Sequence, residues 1–266
     1  MCFHMRNKHI GLLLLVFTVF WAICQNAAAE SGSDLSEKGM VLTFEEPLPF
    51  RIYLPESDDE SERFPVLYLL HGQGQDESVW DRLDLFKLAD RLITEGVIRP
   101  MIIVVPREER YLEEIHESDY GKELLTKLIP FVDDRFSTLN DRASRAIGGI
   151  SRGALWAQLL SFTSYETFGV LGQHSLPSGF VSPSLVYRQA ETYRKTLPEI
   201  RIRIDSGEDD PYLKGARTFS AQLTTLNYPH TFVVNPGGHD EAYWKANLES
   251  YLIWYSRNLS ETRSHS

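Results

Sequence analysis

A serine between two glycines is the clearest candidate for a reactive side chain in this sequence. Ser151 stands at the centre of Gly149-Ile150-Ser151-Arg152-Gly153, between a strand-like segment and a helix-like segment. In this context the G-x-S-x-G pattern holds a serine on a sharp turn with its hydroxyl exposed, and the glycines let neighbouring segments approach without a clashing Cβ. The pattern therefore predicts a nucleophilic serine.

A serine hydroxyl needs a base, and a histidine lies at a later strand end. His239 is on the glycine-rich turn that follows the strand-like segment 230–234. An imidazole takes up and returns a proton near neutral pH, which is the requirement for transferring the serine proton to a leaving group. We therefore predict that His239 is the general base for Ser151.

The base in turn needs a carboxylate that fixes its tautomer and stabilises the imidazolium. Acidic residues follow the strand-like segment 200–204. We favour Asp210 because the fixed φ of Pro211 restrains its loop, with Asp209 and Glu208 as alternatives. The predicted catalytic residues are Ser151, Asp210 and His239.

Two backbone N–H groups are predicted to form an oxyanion hole. The segment 69–74 leaves a buried strand for a glycine-bearing loop, where Gln73 supplies one donor. The residue after the nucleophile, Arg152, supplies the other through its backbone. We expect His71 to orient this loop by hydrogen bonding.

Other side chains near these positions have ordinary structural interpretations. A salt bridge is favoured for the Arg152 guanidinium over binding of an anionic substrate group. Asp240 is interpreted as the cap of the last helix. His174 follows a strand-like segment, and pocket lining and packing remain equal alternatives for it.

Short apolar segments alternate with amphipathic ones from residue 50 onward. This alternation predicts an α/β fold with a mostly parallel central sheet, helices on both faces, one domain and no large lid. The acidic stretch 56–62 is interpreted as a solvated hairpin loop. Predicted strands are 50–54, 65–70, 101–105, 145–150, 168–172, 200–204 and 230–234, and predicted helices are 83–95, 122–136, 153–163, 186–196, 213–226 and 241–258.

The first 29 residues have the composition of a secretory signal peptide. Arg6 and Lys8 precede the mostly apolar run 10–24, and Ala27-Ala28-Ala29 offers a cleavage site. The run is shorter than the about 20 apolar residues that a membrane span needs. We predict a cleaved signal peptide over 1–29, a flexible lead-in over 30–40, a catalytic domain over 41–258 and a tail over 259–266, with a secreted or periplasmic location.

Composition excludes several classes of protein. Cys2 and Cys24 both lie in the predicted signal, so the mature chain has no disulfide, no catalytic cysteine and no cysteine-ligated zinc. The full chain carries 27 basic and 37 acidic side chains, a net charge of −10. Cleavage leaves 25 basic and 37 acidic side chains, a net charge of −12. This balance argues against nucleic acid as a partner, since nothing supplies a basic face.

The sequence resembles the esterase family of α/β-hydrolases that includes feruloyl and acetyl-xylan esterases and formylglutathione hydrolases. The resemblance runs from about Val41 to Tyr255. It implies serine ester hydrolysis without a cofactor or metal, with Ser151, Asp210 and His239 on the triad positions and Gln73 on the oxyanion loop. The matching motifs are residues 65–72, 128–133, 149–153 and 237–240, the last followed by Tyr243-Trp244.

Two stretches match no subfamily, so the resemblance does not transfer a substrate. These are 107–119 and 174–199, which would form much of the acyl and alcohol pockets. We therefore expect an exported serine carboxylesterase acting on acyl esters of carbohydrates or small alcohols, without stable membrane insertion after signal cleavage. The alternatives are an acyltransferase to a sugar acceptor and a catalytically inactive surface or binding protein of the same fold.

Overall fold

A computed structural model describes residues 38–177, 183–193 and 196–260. Within them, eight strands form one sheet in the order β1-β2-β4-β3-β5-β6-β7-β8. At one edge of the sheet, β2 pairs antiparallel with β1 on one side and with β4 on the other. All the remaining neighbours, from β4-β3 to β7-β8, pair parallel. The strands are β1 Met40–Phe44, β2 Phe50–Leu54, β3 Val66–Leu70, β4 Ile102–Pro106, β5 Arg145–Ile150, β6 Val170–His174, β7 Arg201–Gly207 and β8 His230–Asn235.

Helices connect the parallel strands. The helical segment between β4 and β5 is interrupted by a π-helical turn at Leu124–Leu128, which separates α3 from α4. A short 3-10 helix at Arg142–Ser144 precedes β5. The helices are α1 Val79–Arg82, α2 Leu85–Thr94, α3 Tyr120–Glu123, α4 Ile129–Arg135, α5 Arg152–Thr163, α6 Pro183–Tyr193, α7 Leu213–Thr225 and α8 Glu241–Asn258. Among the described residues, no helix combines the length and apolar character that crossing a bilayer would require.

The central strands are buried on both faces because helices cover the sheet from either side. All five residues of β3 are buried. Val66 and Tyr68 belong to one apolar cluster, whereas Leu67 and Leu69 belong to a second one. Since successive strand residues point to opposite faces, the two clusters are the two layers of core that sandwich the sheet. The predicted α/β-hydrolase architecture, with a single domain and a mostly parallel sheet, is confirmed.

The edge of the sheet differs from the prediction. The acidic stretch 56–62 is exposed except for the half-buried Glu62. It does not form a hairpin, because β4 lies between β2 and β3 and separates them. β1 begins at Met40, the last residue of the predicted lead-in. It is preceded by Lys38 and Gly39, whose backbone N–H groups donate to Asp90. The predicted signal peptide lies outside the described residues.

Candidate active site

Ser151 lies on a strained turn between β5 and α5. Its φ of 53° and ψ of −118° fall in a region that L-residues rarely occupy, at a cost of about 1–3 kcal/mol. Glycines make the turn sterically feasible. A Cβ on Gly149 would lie 2.5 Å from the Gly153 carbonyl carbon, and one on Gly153 would lie 2.3 Å from the Leu70 oxygen. The turn therefore presents the Ser151 hydroxyl at the carboxyl edge of the sheet.

The three residues of the predicted triad form a chain of two hydrogen bonds with His239 in the middle. His239 Nε2 is 2.9 Å from Ser151 Oγ, and His239 Nδ1 is 2.9 Å from Asp210 Oδ2. An ionised carboxylate only accepts hydrogen bonds, so Nδ1 donates to Asp210 and Nε2 is left to accept the serine proton. The carboxylate is completely buried, whereas the imidazole is 18% exposed. This arrangement can deprotonate Ser151 and protonate a leaving group on the solvent side.

Backbone hydrogen bonds join the loop of the acid to the loop of the histidine. Asp209 N–H donates to Gly237 O, and Glu208 N–H donates to Asn235 O. The side chains of Glu208 and Asp209 are exposed. Of the three candidate carboxylates, the structure therefore brings only Asp210 to the histidine.

The Asp210 carboxylate is held in its charged form. Burial alone would raise its pKa, but hydrogen bonds from His239 and from the Tyr212 backbone N–H, together with the charge of His239, outweigh burial. The net effect is a pKa below the ordinary value for aspartate. An ionised carboxylate at this position favours the His239 tautomer that can accept a proton from Ser151.

The loop that carries Gln73 lies beside Ser151. A Cβ on Gly72 would be 3.4 Å from Ser151 Cβ. His71 braces this loop: its Nδ1 lies 2.8 Å from Gly72 O, and its Nε2 accepts from Glu108 N–H at 2.8 Å. Burial lowers the His71 pKa, so the ring is neutral and serves both contacts. The orienting role predicted for His71 agrees with these contacts.

Arg152 begins α5, so its backbone N–H has no acceptor within the helix and remains available beside Ser151. Its side chain is committed elsewhere. The guanidinium donates to both carboxylate oxygens of Glu108, at 2.9 and 2.7 Å, and to Glu113 O at 2.7 Å. Both partners of this ion pair are buried. The favoured salt-bridge interpretation is confirmed, and this guanidinium is not a free anion-binding group.

Two aromatic side chains flank His239. The Tyr212 ring lies 4.9 Å from the imidazole and the Trp244 ring 5.4 Å, both edge to face. Tyr212 is 43% exposed, whereas Trp244 is buried. Asp240 accepts from Tyr243 N–H at 2.9 Å and caps α8, as predicted. The imidazole is thus restrained laterally as well as through its two nitrogens.

His174 is completely buried and does not line a pocket, so packing is the correct alternative for it. Its Nδ1 lies 2.5 Å from Asp205 Oδ1, and its Nε2 lies 3.0 Å from the Tyr255 hydroxyl. Tyr243 and Tyr251 donate to the other oxygen of Asp205 at 3.0 and 2.7 Å. Asp205 is therefore engaged by His174 and two tyrosines, whereas His239 hydrogen bonds to Asp210. The described residues contain no group of three or more His, Cys, Asp or Glu side chains arranged to hold a metal ion.

The sheet order, the strained serine turn and the serine–histidine–carboxylate chain together define the class as the α/β-hydrolases. The family model described as Esterase (Putative esterase) matches residues 42–255, and the chain belongs to this esterase family.

Known proteins agree with this assignment. The sequence is 32% identical over 133 residues to an endo-1,4-beta-xylanase/feruloyl esterase of Xylanibacter ruminicola, covering 46% of this chain and 18% of that protein. A solved ferulic acid esterase superposes with a TM-score of 0.69 at 25% identity, over 84% of this chain and 99% of that one. S-formylglutathione hydrolase from Staphylococcus aureus superposes with a TM-score of 0.66 at 20% identity, over 82% and 96% of the two chains, and supports the fold.

Proposed function

We propose that the protein is an exported serine carboxylesterase that hydrolyses acyl esters of carbohydrates or small alcohols through an acyl-enzyme on Ser151. The observation that carries the proposal is the continuous chain from Ser151 Oγ through His239 to Asp210, with both contacts at 2.9 Å. Esterase family membership supports the ester bond as the target. The feruloyl esterase relatives support a carbohydrate-linked acyl group.

In the first half-reaction, Ser151 Oγ attacks the ester carbonyl carbon while His239 Nε2 takes the hydroxyl proton. The carbonyl oxygen becomes an oxyanion that accepts from the backbone N–H groups of Gln73 and Arg152. Collapse of this intermediate breaks the bond to the alcohol oxygen, and His239 returns the proton to that oxygen. The alcohol departs, and the acyl group remains on Ser151.

The second half-reaction replaces the alcohol by water. His239 takes a proton from water, the resulting hydroxide attacks the acyl carbon, and the same donors hold the oxyanion. Collapse returns the proton to Ser151 Oγ and releases the carboxylic acid. A sugar hydroxyl in the place of water would give acyl transfer by the same steps.

The test is a panel of nitrophenyl esters of increasing acyl length, with feruloyl and acetylated-sugar substrates, assayed on the wild type and on Ser151→Ala. We expect the wild type to hydrolyse short esters and the variant to lose at least about 10³-fold in kcat. Equal rates for the two proteins would refute the proposal. A fluorophosphonate probe should label the wild type, should not label Ser151→Ala and should label His239→Ala slowly.

Two further measurements address the acceptor and the location. Sugar acceptors added to the assay should leave the carboxylic acid as the main product, since a shift to a new ester would identify a transferase. Expression in a secreting host should give a protein that begins at Glu30, as determined by mass. A retained residue 1–29 segment would contradict export by a cleaved signal peptide.

A further inference from the structure

Glu108 is a buried acid that the proposed mechanism does not use. It lies two residues after the end of β4, and only 3% of its surface is exposed. Burying a carboxylate is costly unless it is paired, and Arg152 donates to both of its oxygens, at 2.9 and 2.7 Å. Since Arg152 directly follows Ser151, the ion pair ties the loop after β4 to the first turn of α5.

The backbone of the same residue makes a second connection. Glu108 N–H donates to His71 Nε2 at 2.8 Å, so this nitrogen carries the lone pair and the ring proton is on Nδ1. His71 Nδ1 donates that proton to Gly72 O at 2.8 Å. Glu108 is thereby connected to the loop that carries Gln73.

The contact of His71 with Gly72 O also orients the N–H of Gln73. The Gly72 carbonyl and the Gln73 N–H belong to one planar trans peptide unit, in which they point in opposite directions. A hydrogen bond that fixes the carbonyl therefore fixes the direction of the N–H. The N–H of Gly72 itself is committed, because it donates to Gln75 Oε1 at 3.0 Å.

The strands alone do not hold the two proposed oxyanion donors together. β3 pairs with β5, and the last residues in register are Leu70 and Gly149. Gln73 and Arg152 each lie three residues beyond this last pair, on separate segments. An oxyanion hole needs both donors about 2.7–3.1 Å from one oxygen, so their separation must be set by a contact outside the sheet.

We infer that Glu108 is a positioning residue for the oxyanion hole: its side chain holds Arg152, and its backbone N–H holds His71. The inference rests on the proposed function, in which the oxyanion accepts from the N–H groups of Gln73 and Arg152. Glu108 touches neither the substrate nor the reacting atoms. It acts by joining the segments that carry the two donors, so that their separation is fixed before the substrate binds.

The experiment uses two substrates that depend differently on the oxyanion hole. They are 4-nitrophenyl acetate and its thiono analogue, in which sulfur replaces the carbonyl oxygen. Sulfur accepts hydrogen bonds weakly, so the two N–H donors contribute little to the rate of the thionoester. The ratio of kcat/KM for the ester to kcat/KM for the thionoester therefore reports on the hole, whereas damage to Ser151 or His239 lowers both rates alike.

The test protein is the double variant Arg152→Met with Glu108→Leu. It removes both charges together, so neither is left buried without its partner, and it keeps the backbone donors chemically intact. A second variant, Arg152→Lys, keeps the charge and loses the two-bonded contact of the guanidinium. The control is Arg145→Met with Asp133→Leu, which removes an ion pair of 2.7 Å, with a buried arginine, at the opposite end of β5 from Ser151.

We expect the double variant to lose about 10- to 100-fold in kcat/KM on the ester and less than about threefold on the thionoester, because a displaced donor no longer meets the oxyanion. Arg152→Lys should lower the ratio by a smaller factor, and the control should keep the wild-type ratio. Urea unfolding identifies conditions in which all the proteins are folded. If the double variant does not fold, the ratio for Arg152→Lys decides the test.

An unchanged ratio in the folded double variant would overturn the inference, because the ion pair would then serve stability alone. Equal losses on the ester and the thionoester would also overturn it, since the damage would then lie in the triad. An equal fall of the ratio in the control would do the same, because the effect would not depend on Glu108. Failure of the proposed function is distinguishable, since it would appear as unchanged activity of Ser151→Ala.

Discussion

Gly207 and Gly237 approach so closely that a Cβ on Gly207 would lie 2.2 Å from the Gly237 carbonyl oxygen. Gly207 ends β7, three residues before Asp210, and Gly237 lies two residues before His239. The contact is backbone against backbone, so no side-chain rotation can relieve it. The distance between the acid and the base thus depends on the absence of a methyl group at Gly207.

Gly207→Ala is expected to separate the acid and histidine loops and to lower kcat/KM by about 10²-fold, as expected for a displacement of about 1 Å. Gly238→Ala is the control, because its Cβ would meet only Asp240, at 3.6 Å. The measurement is kcat/KM with unfolding curves for both variants. Equal activity of the two would contradict the role assigned to the contact.

Asp210→Asn is expected to lower kcat by about 10⁴-fold, because an amide donates a hydrogen bond to the imidazole and stabilises the wrong tautomer. The matched control is Asp209→Asn, which removes the neighbouring exposed carboxylate. Its kcat should remain close to that of wild type. A larger loss in Asp209→Asn than in Asp210→Asn would reassign the acid.

Acid should destabilise the protein through His71. Burial lowers the pKa of this ring in the folded state, so below the ordinary value of about 6.5 the unfolded chain binds a proton that the folded chain does not. The contribution of the neutral ring to stability is complete above that value and is lost as the pH falls toward the folded-state pKa.

His71→Gln should therefore be less stable than wild type at about pH 8, but its free energy of unfolding should decline less between about pH 7 and pH 5. Urea unfolding at several pH values measures this. His116→Gln is the control, since the side chain of His116 is 73% exposed. If the free energy of unfolding declined equally with falling pH in wild type and in His71→Gln, the prediction would be contradicted.

The Arg152–Glu108 ion pair should be costly to break from either side. Removing one partner leaves a buried charge, so Arg152→Met and Glu108→Leu should each lower the free energy of unfolding by about 3–5 kcal/mol. The double variant should lose clearly less than the sum of the single losses. The same double-mutant cycle on the exposed Arg91–Glu249 pair should give a coupling energy of about 0–1 kcal/mol. Equal coupling energies for the two pairs would refute the assignment.

Local patterns predicted the elements that position the triad. The bounds of β5 and α8 agree with the prediction to the residue, because glycines define one and a capping aspartate begins the other. The three triad side chains were predicted from their places at strand ends, which a parallel sheet brings to one edge. The position of Asp210, three residues after Gly207 and directly before Pro211, favours it over its acidic neighbours.

Features that depend on distant pairing were not predicted. β4 lies between β2 and β3, and nothing in the stretch 56–62 signals that its flanking strands are separated. β6 was predicted two residues early, so His174 appeared to follow the strand whereas it is the last strand residue. The backbone N–H of Ser175 donates to Asp205 O and links the ends of β6 and β7, and a serine in a sequence carries no mark of such a contact.

The buried pair His174–Asp205 repeats the chemical composition of the pair His239–Asp210 in the same chain. Tyrosine hydroxyls close the first pair off, and the His174 ring stacks on Tyr251 at 3.7 Å. We therefore expect the Nδ1 proton of the fully buried His174 to exchange with water more slowly than that of His239, whose side chain is 18% exposed. In a proton nuclear magnetic resonance spectrum, the Nδ1–H signal of His174 is thus an internal reference. Ligand binding should alter the Nδ1–H signal of His239 and leave that of His174 in place.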